Sequence, residues 1–154
     1  MDYKRENRIA EEWLIEYNER KRTLDIKLGE LEYLKAAVSD GLPRSTDIGR
    51  PCENHAIELA EIKRGQRWIL AVYDLEQDID IRYQEILRLR REAETINKGI
   101  PGRHGWVEYV KTNYCLWLFR VTGEERDINK ETIKLWWRQI IDMMVRKAIR
   151  NACF

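Results

Sequence analysis

Asp127-Ile128-Asn129-Lys130-Glu131-Thr132-Ile133-Lys134-Leu135-Trp136-Trp137-Arg138-Gln139-Ile140-Ile141-Asp142 is the stretch whose reading decides the fold. It specifies a turn that delivers a capped, basic, amphipathic helix. Asn129 can accept hydrogen bonds from the free N–H groups of the first turn, and Ile128 and Ile133 occupy the N′ and N4 positions of a hydrophobic staple. Helical spacing then sets Ile133, Trp136, Ile140 and Met144 on one face, with Trp136 in the core and Trp137 half-buried. Lys130, Lys134 and Arg138 fall on another face. Cations in the first two turns oppose the positive end of the helix dipole, an arrangement that a polyanionic partner would offset.

Upstream, the glycine-bearing segment 121–127 turns into this helix, and before it Trp106, Val107, Tyr109, Val110, Tyr114, Leu116, Trp117, Leu118 and Phe119 supply an aromatic core for one or two short helices. Short helices ending in a basic one after such a turn form the helix-turn-helix pattern. The segment Asn97-Lys98-Gly99-Ile100-Pro101-Gly102-Arg103-His104-Gly105, with three glycines and a proline, reads as a boundary. The expected organisation is therefore a first unit over residues 1–97, a linker over 98–105 and a helix-turn-helix-like unit over 106–154.

The first unit carries two long helical patterns. Over residues 7–38 the apolar positions are Ile9, Trp13, Tyr17, Leu24, Leu28, Leu31 and Val38, and oppositely charged pairs such as Glu16 and Arg20 lend modest support. Turn formers and two prolines, Pro43 and Pro51, make residues 39–51 a connector. A second pattern over residues 52–96 has Ile57, Ala60, Trp68, Val72, Leu75, Ile79, Ile86 and Leu89 as its seam, with Gly65 as a candidate bend. Unbroken, that helix would be on the order of 60 Å long. Two such helices must bury their seams on each other or on a second copy, so an antiparallel hairpin that associates with itself is expected, folding without the C-terminal unit. The fold class is all-α, which suits a chain with 36% charged residues, 44% hydrophobic residues and three prolines.

The net charge of +1 conceals a segregation. Residues 98–154 carry 11 Lys+Arg against 6 Asp+Glu, and residues 1–97 carry 17 against 21. A contact between the C-terminal part and nucleic acid is compatible with that distribution. Cys52, Cys115 and Cys153 are odd in number and widely spaced, which points to neither a disulfide framework nor a zinc site, and fits a reducing cytoplasm. Cys52 and His55 stand at CxxH spacing without a partner pair, and His104 sits in a Gly-rich loop, so no metal is implied. No apolar run approaches a membrane span, and no signal peptide is read. Nucleotide-binding and nucleophile-elbow motifs are missing, and Asp78 and Asp80 lie two residues apart, on different sides of a helix. Neither catalysis nor a cofactor is expected.

The helix around Tyr17-Asn18-Glu19-Arg20-Lys21 running into Leu31-Glu32-Tyr33-Leu34-Lys35 is one carrier of a family likeness. Others are the connector Leu42-Pro43-Arg44-Ser45-Thr46-Asp47-Ile48-Gly49, the opening Ile57-Glu58-Leu59-Ala60-Glu61-Ile62-Lys63-Arg64-Gly65, and the ending quoted above. On these the chain resembles phage late-gene transcription regulators of the RinA/ArpU type, whose C-terminal unit is similar to region 4 of sigma factors. The resemblance implies that Thr132 and Ile133 pack inward while Lys130, Glu131, Lys134, Leu135 and Arg138 face double-stranded DNA. It also implies a bacterial host cytoplasm, with self-association or RNA polymerase contact through the hairpin. The chain departs from the family where residues 121–127 form a longer, more acidic turn and where aromatic residues replace a polar first helix. The alternative function is a helical interaction or assembly protein, such as a small terminase-like subunit or an inhibitor, whose terminal helix binds protein.

Overall fold

The computed structural model of the chain describes residues 3–39, 50–96 and 105–154. Among the described residues there are five α-helices and no strand: α1 (Tyr3–Ser39), α2 (Arg50–Asp78), α3 (Ile81–Ile96), α4 (Gly105–Thr122) and α5 (Lys130–Arg150). The all-α class read from composition holds. Most of the connector and of the linker, His104, and the side chains of Cys52, His55 and Val38 lie outside the described residues. No helix among the described residues is long and apolar enough to cross a membrane.

The single helix expected over 52–96 is two helices, broken at Ile79 and Asp80. Two side chains satisfy the free backbone groups at that corner. Asp80 Oδ1 accepts from the Tyr83 amide at 2.9 Å, capping α3. Gln84 Nε2 donates to the carbonyls of Glu76 and Ile79 at 3.1 and 3.2 Å, closing the end of α2. Gly65 is not the bend, because α2 runs through it. An added Cβ there would lie 2.5 Å from Leu24 Cδ1, so the glycine is the seat into which α1 packs.

The expected division into a hairpin with its own core and a separate C-terminal unit does not appear. Helix α5 packs against α1, α2, α3 and α4 alike. One continuous core runs from Ala10, Leu14, Val72 and Leu75 through Ile133, Ile140 and Met144 to Ile86, Val110 and Tyr114. The seam that α1 and α2 expose is thus filled by α5 of the same chain. Ile57 and Ala60, expected in that seam, are exposed, and α2 first meets the core at Ile62. Outward of Leu24 on α1 and of Ile62 on α2 no side chain among the described residues is buried, and Ile26, Tyr33, Ile57 and Leu59 face solvent.

Two aromatic assemblies hold the ends of the core. Trp13 stacks on Trp68 with centroids 5.6 Å apart and planes at 7°, and Phe154 meets Trp68 edge-on at 5.2 Å. On the other side Trp106 tilts against Trp137, and the guanidinium of the buried Arg90 lies 4.7 Å and 5.6 Å from their centroids. Arg90 Nη1 reaches Glu94 at 2.9 Å. Helix α5 ends in a Schellman arrangement, in which Cys153 N donates to Ala148 O at 2.9 Å and Ala152 N to Ile149 O at 3.1 Å. Ala152 takes the left-handed position at φ 55°. That turn brings Cys153 and Phe154 back onto α2, where Arg67 Nη1 donates to Ala152 O.

Candidate nucleic-acid interface

The start of α5 forms as its sequence dictates. Asn129 is extended at φ −66° and ψ 142°, and its side chain accepts from the Glu131 amide at 3.0 Å. Ile128 and Ile133 are both buried, completing the staple. Upstream, Gly123 at φ 74° ends α4, its amide donating to Phe119 O.

The helix is turned about its axis relative to the expected face. Trp137, not Trp136, is the core residue, 3% exposed, and Trp136 is half-buried with its ring 5.6 Å from Tyr114. The reason is packing on two sides. Ile133, Trp137, Ile140, Ile141, Met144, Val145 and Ala148 form one wide buried stripe, because α5 meets helices across roughly 140° of its circumference at about 100° per residue. Phe119 and Leu116, expected among the aromatic core of α4, are about half exposed. Of the rest of that expected set, Val107, Val110, Tyr114 and Leu118 are buried, and Trp106, Tyr109 and Trp117 pack partly buried against the core.

What remains for solvent is a stripe of Glu131, Leu135, Arg138, Gln139, Asp142, Arg146, Ile149 and Arg150, all exposed. Of the five residues expected to face DNA, Glu131, Leu135 and Arg138 lie on it. Lys130 and Lys134 fall on the flank toward the core. Lys130 Nζ pairs with Glu108 of α4, and this hydrogen bond holds the Glu108 carboxyl below its ordinary range. Lys134 Nζ pairs with Glu131 at 3.3 Å. Arg138 and Arg146 form no ion pair among the described residues, and neither do Arg120 and Arg126 at the α4–α5 turn. Thr132 is half-buried and Ile133 fully buried, so both sit inward of the stripe.

Gln139, Arg146 and Arg150 were missed by a reading that stopped at the second turn; extending the 3.6-residue period from Glu131 to the helix end finds them. Gln139 has a further contact that no local pattern signals: Tyr83 Oη of α3 donates to its Oε1 at 2.5 Å. The last turn is anchored, since Lys147 pairs with Asp78 and Asn151 Nδ2 donates to Asp74 Oδ2 at 3.2 Å. The Lys147 hydrogen bond holds the Asp78 carboxyl below its usual range.

Two concavities lie elsewhere. One is a polar groove lined by Asn18, Glu76, Gln84, Arg88 and Arg91, in which the arginines are engaged by Glu76, Glu85 and Glu92. The other is lined by Glu6, Ile9, Trp13, Arg64, Trp68, Cys153 and Phe154. Burial pushes the Cys153 thiol up to about 11, so it stays protonated at neutral pH and is no nucleophile there. Among the described residues no group of His, Cys, Asp and Glu could hold a metal ion. No protein-family model matches the chain, and no curated protein or solved structure is significantly similar to it.

Proposed function

We propose that the chain is a phage-type transcriptional regulator of late genes that lays the outer stripe of α5 against double-stranded DNA. The observation that carries this reading is the pair Arg138 and Arg146, two exposed arginines without acidic partners on a helix clamped by all four others. Such a helix fixes the backbone positions of its arginines, and because neither guanidinium is engaged by a carboxylate among the described residues, no ion pair has to be broken to meet a polyanion. Arg120 and Arg126 add two more unpaired cations at the turn that precedes it. Lys130 and Lys134, on the flank, are placed for phosphates rather than bases, after release from Glu108 and Glu131. Self-association or RNA polymerase contact falls to the outlying parts of α1 and α2, and the site of action is the bacterial host cytoplasm.

A titration of random duplex DNA against salt tests the reading. Steep loss of affinity with salt is expected, and the Arg138→Ala/Arg146→Ala double variant lowers the slope by about 2 because two phosphate or base-edge cations are removed. Binding that is insensitive to salt and to this double substitution refutes it. A second reading, a helical interaction or assembly protein, is favoured by Ile26, Tyr33, Ile57 and Leu59, large apolar side chains left in solvent on α1 and α2. Failure of duplex binding together with self-association of the full chain is the result that selects it.

A further inference from the structure

We infer that Gln139 is a base-reading residue and that Tyr83 of α3 is the residue that positions it. This rests on the DNA-binding reading above and adds to it a specificity determinant. Gln139 is exposed, stands beside Arg138 on the outer stripe, and belongs to the helix held most firmly in the fold. A free glutamine amide rotates among many conformers, and a side chain that reads a base must not. Here Tyr83 Oη donates to Gln139 Oε1, which restrains the amide group. The tyrosine is itself fixed: its ring packs half-buried against the core, and its backbone amide is bonded to Asp80 Oδ1 at the start of α3.

The remaining hydrogen-bonding capacity of Gln139 matches one base. With one lone pair of Oε1 taken by Tyr83, the other is free to accept, and both Nε2 hydrogens are free to donate. A glutamine so presented accepts from adenine N6–H and donates to adenine N7, the bidentate pairing available in the major groove. Guanine offers acceptors at both of those places, so its O6 would face Oε1 acceptor to acceptor with no proton between them.

Selection of the full chain on a duplex library with about 20 randomised base pairs tests the inference. The wild type is expected to enrich a motif with one position fixed as A·T. Gln139→Ala should lower the preference at that position on the order of tenfold, with affinity for unselected duplex nearly unchanged. Tyr83→Phe keeps the ring and its packing but removes the hydroxyl, and should relax the same position with an unaltered thermal midpoint. Arg146→Ala, by contrast, should weaken binding on every sequence. Enrichment of an unchanged motif by Gln139→Ala overturns the inference while leaving the DNA-binding reading standing. An unchanged motif from Tyr83→Phe alone overturns the positioning role. A wild type that shows no salt-dependent duplex binding removes the DNA-binding reading and this one with it.

Discussion

Trp137 of α5 and Trp106 of α4 meet with ring centroids 6.0 Å apart and planes at 60°, and Arg90 covers both rings. This contact sets the rotation of α5, and through it which residues reach solvent.

Trp137→Ala should therefore cost roughly 3 to 5 kcal/mol of stability, and Trp136→Ala clearly less, since Trp136 is only half-buried. Urea midpoints of the two variants decide the order. The reverse order would put Trp136 in the core and Lys130 and Lys134 back on the outer face.

Arg90 is 5% exposed and its Nε is buried without a partner. A buried cation with an incompletely satisfied guanidinium contributes chiefly by filling space between the two indoles. Arg90→Met, which keeps the volume, should consequently be far milder than Arg90→Ala, which leaves a cavity costing about 2 to 4 kcal/mol. Equal losses in thermal unfolding would assign the effect to charge instead.

Gly65 and Leu24 make a reciprocal prediction. Gly65→Val forces a side chain into the space of Leu24 and should destabilise by about 1 to 3 kcal/mol through overpacking. Leu24→Ala in the same chain should restore part of that loss. Additive losses in a double-mutant cycle would mean that the two residues do not touch.

Ala152 holds a left-handed backbone that costs an L-residue roughly 1 to 2 kcal/mol. Ala152→Gly should raise the denaturant midpoint, as the strain goes and the Schellman bonds stay. No gain would show that the turn relaxes in solution.

The Lys147 and Lys130 hydrogen bonds depress the Asp78 and Glu108 carboxyls in the folded chain. The unfolded chain then takes up protons first as pH falls, so this stabilisation is present at neutral pH and disappears below about pH 4. Both carboxyls are exposed, so the effect is shallow. Asp78→Asn should flatten the acid limb of a stability-against-pH curve measured in urea.

The class and most helix positions were legible because 3.6-residue periodicity and caps are local. Asn129, Ile128, Ile133 and Gly123 announce one helix start and one helix end within a few residues of themselves. The rotation of α5 was not legible, because Trp136 and Trp137 are chemically equivalent neighbours and only the opposing Trp106 and Arg90 distinguish them. The place of α5 at the centre was hidden for a similar reason. A wide buried stripe and a narrow one share the same anchors at Ile133, Ile140 and Met144, and the extra burial of Ile141 and Val145 follows from the packing of α5 among four other helices, which no local pattern shows. At the corner the only local signal is Asp80, a residue type that favours the N-cap, and it stands inside a long apolar pattern that continues on both sides of it.

The order of synthesis gives the central position of α5 a temporal meaning. Trp13 and Trp68 emerge from the ribosome well before α5, the helix that packs against both α1 and α2. Contacts between α1 and α5 join residues more than ninety positions apart, a long loop closure for a helical protein, and a slow one compared with bundles of local contacts. A nascent chain stopped before Lys130 would lack the helix that packs against all four others, and part of the apolar core surface would stand uncovered. Chaperones that recognise apolar surface would find that chain a client until α5 arrived.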